Sequence, residues 1–128
     1  MAWTYEQSLG RMMSQSGVVI ANGYSGAGDG KNNPTEEYVK NIGPIPAGSY
    51  TVGPPIDSPI HGPFALPLLP DLDNDMYGRS GFMMHGDSLQ HPGNASEGCI
   101  IMPRFAREQV WNGGDHRIVV VKELPTTT

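Results

Sequence analysis

Glycine and proline cut this chain into short apolar runs, and no other feature constrains its fold as strongly. Runs of this size suit strands, which need only about four to eight residues between breakers, far better than a set of long helices. The 17 Gly and 12 Pro among 128 residues approach the proportion seen in disordered chains, but no repeat or low-complexity tract accompanies them. A mainly β, turn-rich fold follows. It is expected as a single domain over residues 1–124, because a chain of this length builds one core and not two.

Strands are expected near residues 2–6, 9–14, 18–22, 49–52, 64–69, 82–85, 99–102 and 117–123. Two segments break the strand rhythm. Asn33-Pro34-Thr35-Glu36-Glu37-Tyr38-Val39 joins a capping residue, a proline at the first helical position and acids in the first turn, which predicts a short helix. Pro103 to Trp111, closed by Asn112-Gly113, predicts a second one that would brace the strand before it. The tail 125–128 is expected to fray.

Charge and leader features narrow the partners. A formal charge of -5, with 8 Lys plus Arg and no basic cluster, argues against nucleic acid as the main partner. No stretch approaches the length of a membrane span, so membrane insertion is not expected. Met1-Ala2-Trp3-Thr4-Tyr5-Glu6-Gln7 has neither the basic nor the apolar region of a signal peptide. Synthesis in the cytoplasm is therefore expected, with any action outside requiring another carrier.

Three loops carry suggestive compositions. The glycines of Gly23-Tyr24-Ser25-Gly26-Ala27-Gly28-Asp29-Gly30 match neither phosphate-binding pattern. Gly43-Pro44-Ile45-Pro46-Ala47-Gly48 is a rigid turn leading into a strand. Asp71-Leu72-Asp73-Asn74-Asp75 has part of a calcium loop but lacks its glycine and distant glutamate, and is read as a solvated acidic loop.

The chemistry concentrates in Gly81-Phe82-Met83-Met84-His85-Gly86-Asp87 and Ala95-Ser96-Glu97-Gly98-Cys99-Ile100-Ile101. Cys99 is the only cysteine, so it forms no intramolecular disulfide. Lone cysteines are often inert core residues. Gly98 before it permits a turn that presents the thiol beside backbone amides, and His85 ends an apolar run upstream, which together suit an activated nucleophile and its base. Zinc needs three or four ligands, and the usual close-spaced pairs are missing from His85, Asp87, His91 and Cys99. No metal or other cofactor is expected. His91 is read as a loop residue near the cleft mouth, and His61 and His116 as solvated residues flanking turns.

His85-Gly86 followed by Ser96-x-Gly98-Cys99 and an apolar strand resembles the active-site signature of YkuD-like L,D-transpeptidases, which act on peptidoglycan stem peptides. The chain is still more similar to the L,D-transpeptidase-like effector toxins delivered by type VI secretion. Ser8-Leu9-Gly10, Gly23-Tyr24-Ser25-Gly26, Asn32-Asn33-Pro34, Gly43-Pro44-Ile45-Pro46-x-Gly48-x-Tyr50 and Gly78-Arg79-Ser80 resemble landmarks of that domain in the same order. The resemblance implies an L,D-transpeptidase-like β-sandwich or barrel with two short helices.

It also implies roles. Cys99 would attack the carbonyl between the diamino acid and the terminal D-Ala of a tetrapeptide stem, with His85 as base, Gly86 orienting the imidazole, and the amides of Gly98 and Cys99 forming the oxyanion site. Water would then make the enzyme an L,D-carboxypeptidase, and an amine an exchanging transpeptidase. Arg79, Asp87, Ser96 and His91 are the candidate substrate-side residues: Arg79 as a carboxylate anchor or a surface charge, Asp87 in orienting the histidine or fixing its loop, Ser96 in the turn. Action in the periplasm of a target bacterium, a secretion apparatus and a cognate immunity protein are implied as well. One position departs from the signature: Glu97 stands where the ordinary family has histidine, and a carboxylate there raises the thiol pKa unless it points away or Arg79 or Arg104 neutralises it.

Two other readings compete. A papain-like peptidoglycan amidase would place its cysteine before its histidine, leaving His116 as the available partner. A non-catalytic cell-wall-binding module of a secretion or phage particle would bury Cys99.

Overall fold

The computed structural model describes residues 2–124, so the expected fraying at 125–128 lies outside the described residues. The strands are β1 (Trp3–Glu6), β2 (Arg11–Met13), β3 (Val19–Asn22), β4 (Tyr24–Ser25), β5 (Gly48–Val52), β6 (Ile56–Ser58), β7 (Gly62–Pro70), β8 (Met83–His85), β9 (Ile100–Ile101) and β10 (Arg117–Val121), with one α-helix, α1 (Arg104–Asn112). The fold is mainly β. Each of the eight expected strands has its counterpart, and β4 and β6 are additional.

The expected helix after Asn33 is only a 3-10 turn, Pro34–Glu36. Asn33 does cap it by accepting from the Thr35 amide. Extension fails because the Glu37 carbonyl, which a helix would give to a later amide, accepts from Arg79 Nη1 instead, and Asn41 adopts φ +65°. The second helix forms as expected, with Pro103 at its N-cap and not inside its first turn.

All ten strands join one mixed sheet in the order β3-β2-β1-β10-β5-β7-β8-β9-β4, with β6 paired to β7. The two ends of that path, β3 and β4, are separated by Gly23 alone, so the sheet curls round until its edges meet. Two glycines make the meeting possible. A Cβ on Gly10 would lie 2.1 Å from the Gly23 carbonyl oxygen, and one on Gly23 would lie 1.7 Å from that of Ile101. Tyr5, Met12, Tyr50, Leu66, Met84 and Ile118 fill the interior. Among the described residues no helix is long and apolar enough to cross a membrane.

Two strand pairs run parallel, β1 with β10 and β8 with β9. The second of these sets up the site. A parallel pair needs a crossover of about a dozen residues or more, and residues 86–99 supply it as a loop. That loop starts beside His85 and ends at Cys99.

Candidate active site

Strand alternation puts the two reactive side chains on one face. Met84 pairs with Ile100 and His85 with Ile101, and Met84 and Ile100 both point into the core. His85, and Cys99 one residue before β9, therefore share the opposite face. They are diagonal neighbours across adjacent strands, about 8 Å apart at Cα from strand spacing and rise. Both line a cleft of about 810 Å3.

The imidazole has a defined orientation. His85 Nδ1 lies 2.8 Å from the Gly86 carbonyl oxygen, which can only accept, so Nδ1 carries the proton and Nε2 holds the lone pair. That Nε2 is buried and has no hydrogen-bond partner. A buried acceptor without a donor costs free energy in a core, and this one has a lone pair free to take a proton. Gly86 thus does orient the ring.

Electrostatics favour a neutral pair. Burial lowers the His85 pKa, and the charges of His61 and Arg107 push it further down against the Gly86 bond and Asp87. Burial likewise raises the Cys99 thiol; Glu97 adds to this, and the Met83 amide and Arg79 offset it only in part. With the thiol pushed up and the imidazole pushed down, both shifts favour the neutral pair over a thiolate and imidazolium.

Gly98 has φ +141°, and a Cβ there would lie 2.6 Å from Arg79 Nη2 and 2.8 Å from the Phe82 ring. This is the permissive backbone expected ahead of the thiol. Its amide, expected at the oxyanion site, is instead bound to Ser96 Oγ at 3.0 Å. Ser96 is a buried pin: its hydroxyl also accepts from the Gly26 amide and donates to the Cys99 carbonyl, leaving it turned away from the cleft.

Arg79 is not free for a substrate carboxylate. It is buried, and its Nη atoms donate to the carbonyls of Glu37, Pro44, Gly43 and Glu97. The guanidinium clamps the 43–48 turn to the loop carrying the thiol. The Glu97 carboxylate is exposed at the cleft and pairs with neither proposed cation, since Arg79 meets only its carbonyl and Arg104 pairs with Glu108. Asp87 lines the cleft and fixes the crossover loop by accepting from the Ser88 and Gly93 amides and from Tyr24 Oη. His91 is exposed outside the cleft lining, its amide bound to Ser88 Oγ.

Two residues of the cleft escape the sequence reading. His61, expected in solvent, is carried by the β6–β7 hairpin onto His85, where the rings stack with centroids 4.2 Å apart. Arg107 reaches the cleft from α1, with Ala106 and Val110 marking the buried stripe that it shares. A cation on that stripe is the one sequence signal that identifies it. His116 is half-buried; it stacks on Trp111 at 3.8 Å and lies outside the cleft, which leaves the papain-like order without a partner for Cys99. Asp71 of the acidic loop is held by Arg117 through two bonds of 2.8 and 2.7 Å. Among the described residues no three His, Cys, Asp or Glu side chains group as a metal site.

Fold and cleft together define a mainly β domain that brings a histidine and a cysteine into one cleft at the edge of two parallel strands. Residues 20–123 match the family model of the Tlde1 domain, and the chain belongs to that family. Membership suggests a type VI secretion effector. No curated protein and no solved structure gives a significant match.

Proposed function

We propose that this domain is a cysteine enzyme that processes peptidoglycan tetrapeptide stems, by L,D-carboxypeptidase action or L,D-transpeptidase exchange, as a toxin delivered by type VI secretion. The observation that carries the chemistry is the unpartnered Nε2 of His85 on the same face of the same cleft as Cys99. The Tlde1 match supports the effector role.

Because the thiol is pushed up and the imidazole down, the proton moves as the sulfur attacks. Cys99 Sγ bonds to the carbonyl carbon before the terminal D-Ala, its proton passes to His85 Nε2, and the carbonyl becomes an oxyanion. The Cys99 amide is the oxyanion donor left to this site, since Ser96 holds that of Gly98. Collapse breaks the C–N bond, with His85 returning its proton to the leaving amine, and D-Ala departs from a thioester. Water or an amine then attacks under the same base, restoring the thiol.

The substrate lies outside the inner membrane, so action belongs in the periplasm of the target, and an immunity protein would protect the producer. Muropeptide mass spectrometry tests the reading. Purified protein is expected to shorten tetrapeptide stems or exchange their last residue, and Cys99→Ala to do neither. Stems untouched by the wild type, or processed by Cys99→Ala, overturn it.

A further inference from the structure

We propose that the Nη2 edge of Arg107 is the subsite for the free terminal carboxylate of the peptide, which restricts the cleft to substrates ending in an unblocked residue. The identity of that peptide rests on the function proposed above; the anion site rests on the geometry of Arg107 itself.

Arg107 is 6% exposed, and most of its donors are already spent. Nε donates to the Met102 carbonyl at 3.1 Å, and Nη1 to those of Pro63 and Phe64 at 2.9 and 2.8 Å. These bonds fix the plane of the guanidinium. Among the described residues Nη2 donates to nothing, while Arg107 lines the cleft. Nη2 faces Gly86 so closely that a Cβ there would lie 2.9 Å away. The missing side chain of Gly86 leaves that edge open.

No carboxylate neutralises it. Among the described residues Arg107 has no salt bridge, and Glu108, the acid beside it, pairs with Arg104. A buried guanidinium held by carbonyls alone still lacks a counter-charge, and a planar carboxylate matches its free edge. Among the described residues the cleft lining holds no other arginine or lysine, and its carboxylates Asp87 and Glu97 are anionic, so Arg107 is the fixed cation that an anion meets there.

Its position relative to His85 gives the anion an identity. Arg107 grips the Met102 carbonyl while the Met102 amide donates to the His85 carbonyl at 3.0 Å, and Gly86 adjoins both. His85 must deliver its proton to the leaving amine. In a departing amino acid the amine and carboxylate share one carbon, so a carboxylate near Arg107 puts the amine near His85.

Two measurements test this on the intact domain. The first compares kcat/KM for a tetrapeptide stem with a free C-terminus and for the same stem as a C-terminal amide. Wild type should prefer the acid by about tenfold or more, Arg107→Gln should lose the preference, and Arg107→Lys should keep part of it. The second needs no turnover: D-alanine should slow iodoacetamide modification of Cys99 in the wild type, D-alaninamide should not, and Arg107→Gln should be indifferent to both. Equal processing of acid and amide by the wild type overturns the subsite and leaves the enzyme reading standing. Protection by D-alanine alone, with stems unprocessed, supports the subsite and sinks that reading. Equal protection by both ligands, or by neither, overturns the subsite even if the variants fail to fold.

Discussion

The imidazole of His61 stacks on that of His85 with ring centroids 4.2 Å apart and planes within 20°. One face of the base is thereby shut off from water, and a second titratable ring is set against it. Both effects lower the His85 pKa, as burial does generally.

The acidic limb of the kcat/KM profile should accordingly fall below the ordinary imidazole value of about 6.5. His61→Ala re-solvates His85 and removes a neighbouring charge, so the limb should move up. His61→Phe keeps the cover without the charge and should move it less. The depressed pKa also acts on folding: below about pH 6.5 the unfolded chain takes up a proton that folded His85 resists, so stability falls as pH drops. If neither variant shifts the limb, the stack does not tune the base.

The thiol makes the opposite excursion. Alkylation of native Cys99 should reach half its maximal rate above the ordinary thiol value of about 8.5, because burial and Glu97 both disfavour the thiolate. Glu97→Gln should bring the midpoint down, with burial still holding it up. A wild-type midpoint at or below the ordinary value would show that burial and Glu97 do not hold the thiol up.

What could be read in the sequence was local. Gly and Pro punctuation gave the strands because strand ends are set by their own breakers, and Gly98 announced its turn because only glycine sits easily at φ +141°. The short strands β4 and β6 were not legible. Tyr24-Ser25 is extended because β9 lies beside it, and Ile56-Asp57-Ser58 has little apolar content of its own. The same limit applied within the site. His85 and Cys99 lie in motifs, but the contact of His61 with His85 depends on where a hairpin folds over. Arg79 looked available because sequence does not reveal that four distant carbonyls consume it.

That clamp yields the last prediction. Arg79 ties Glu37, Gly43 and Pro44 to the carbonyl of Glu97, two residues from the nucleophile, and Gly98 is packed against its Nη2. Arg79→Met leaves those buried carbonyls short of donors and should cost about 2–4 kcal/mol in urea unfolding. Gly98→Ala forces a Cβ toward Nη2 and the Phe82 ring at a positive φ, and should cost about 1–3 kcal/mol. The two changes share one contact, so the double variant should lose less than the sum, because methionine removes part of what the new Cβ would strike. KM of the folded Arg79→Met protein should stay near wild type, since the guanidinium binds backbone and not substrate. A variant of unchanged stability with a much higher KM would return Arg79 to the role of substrate anchor.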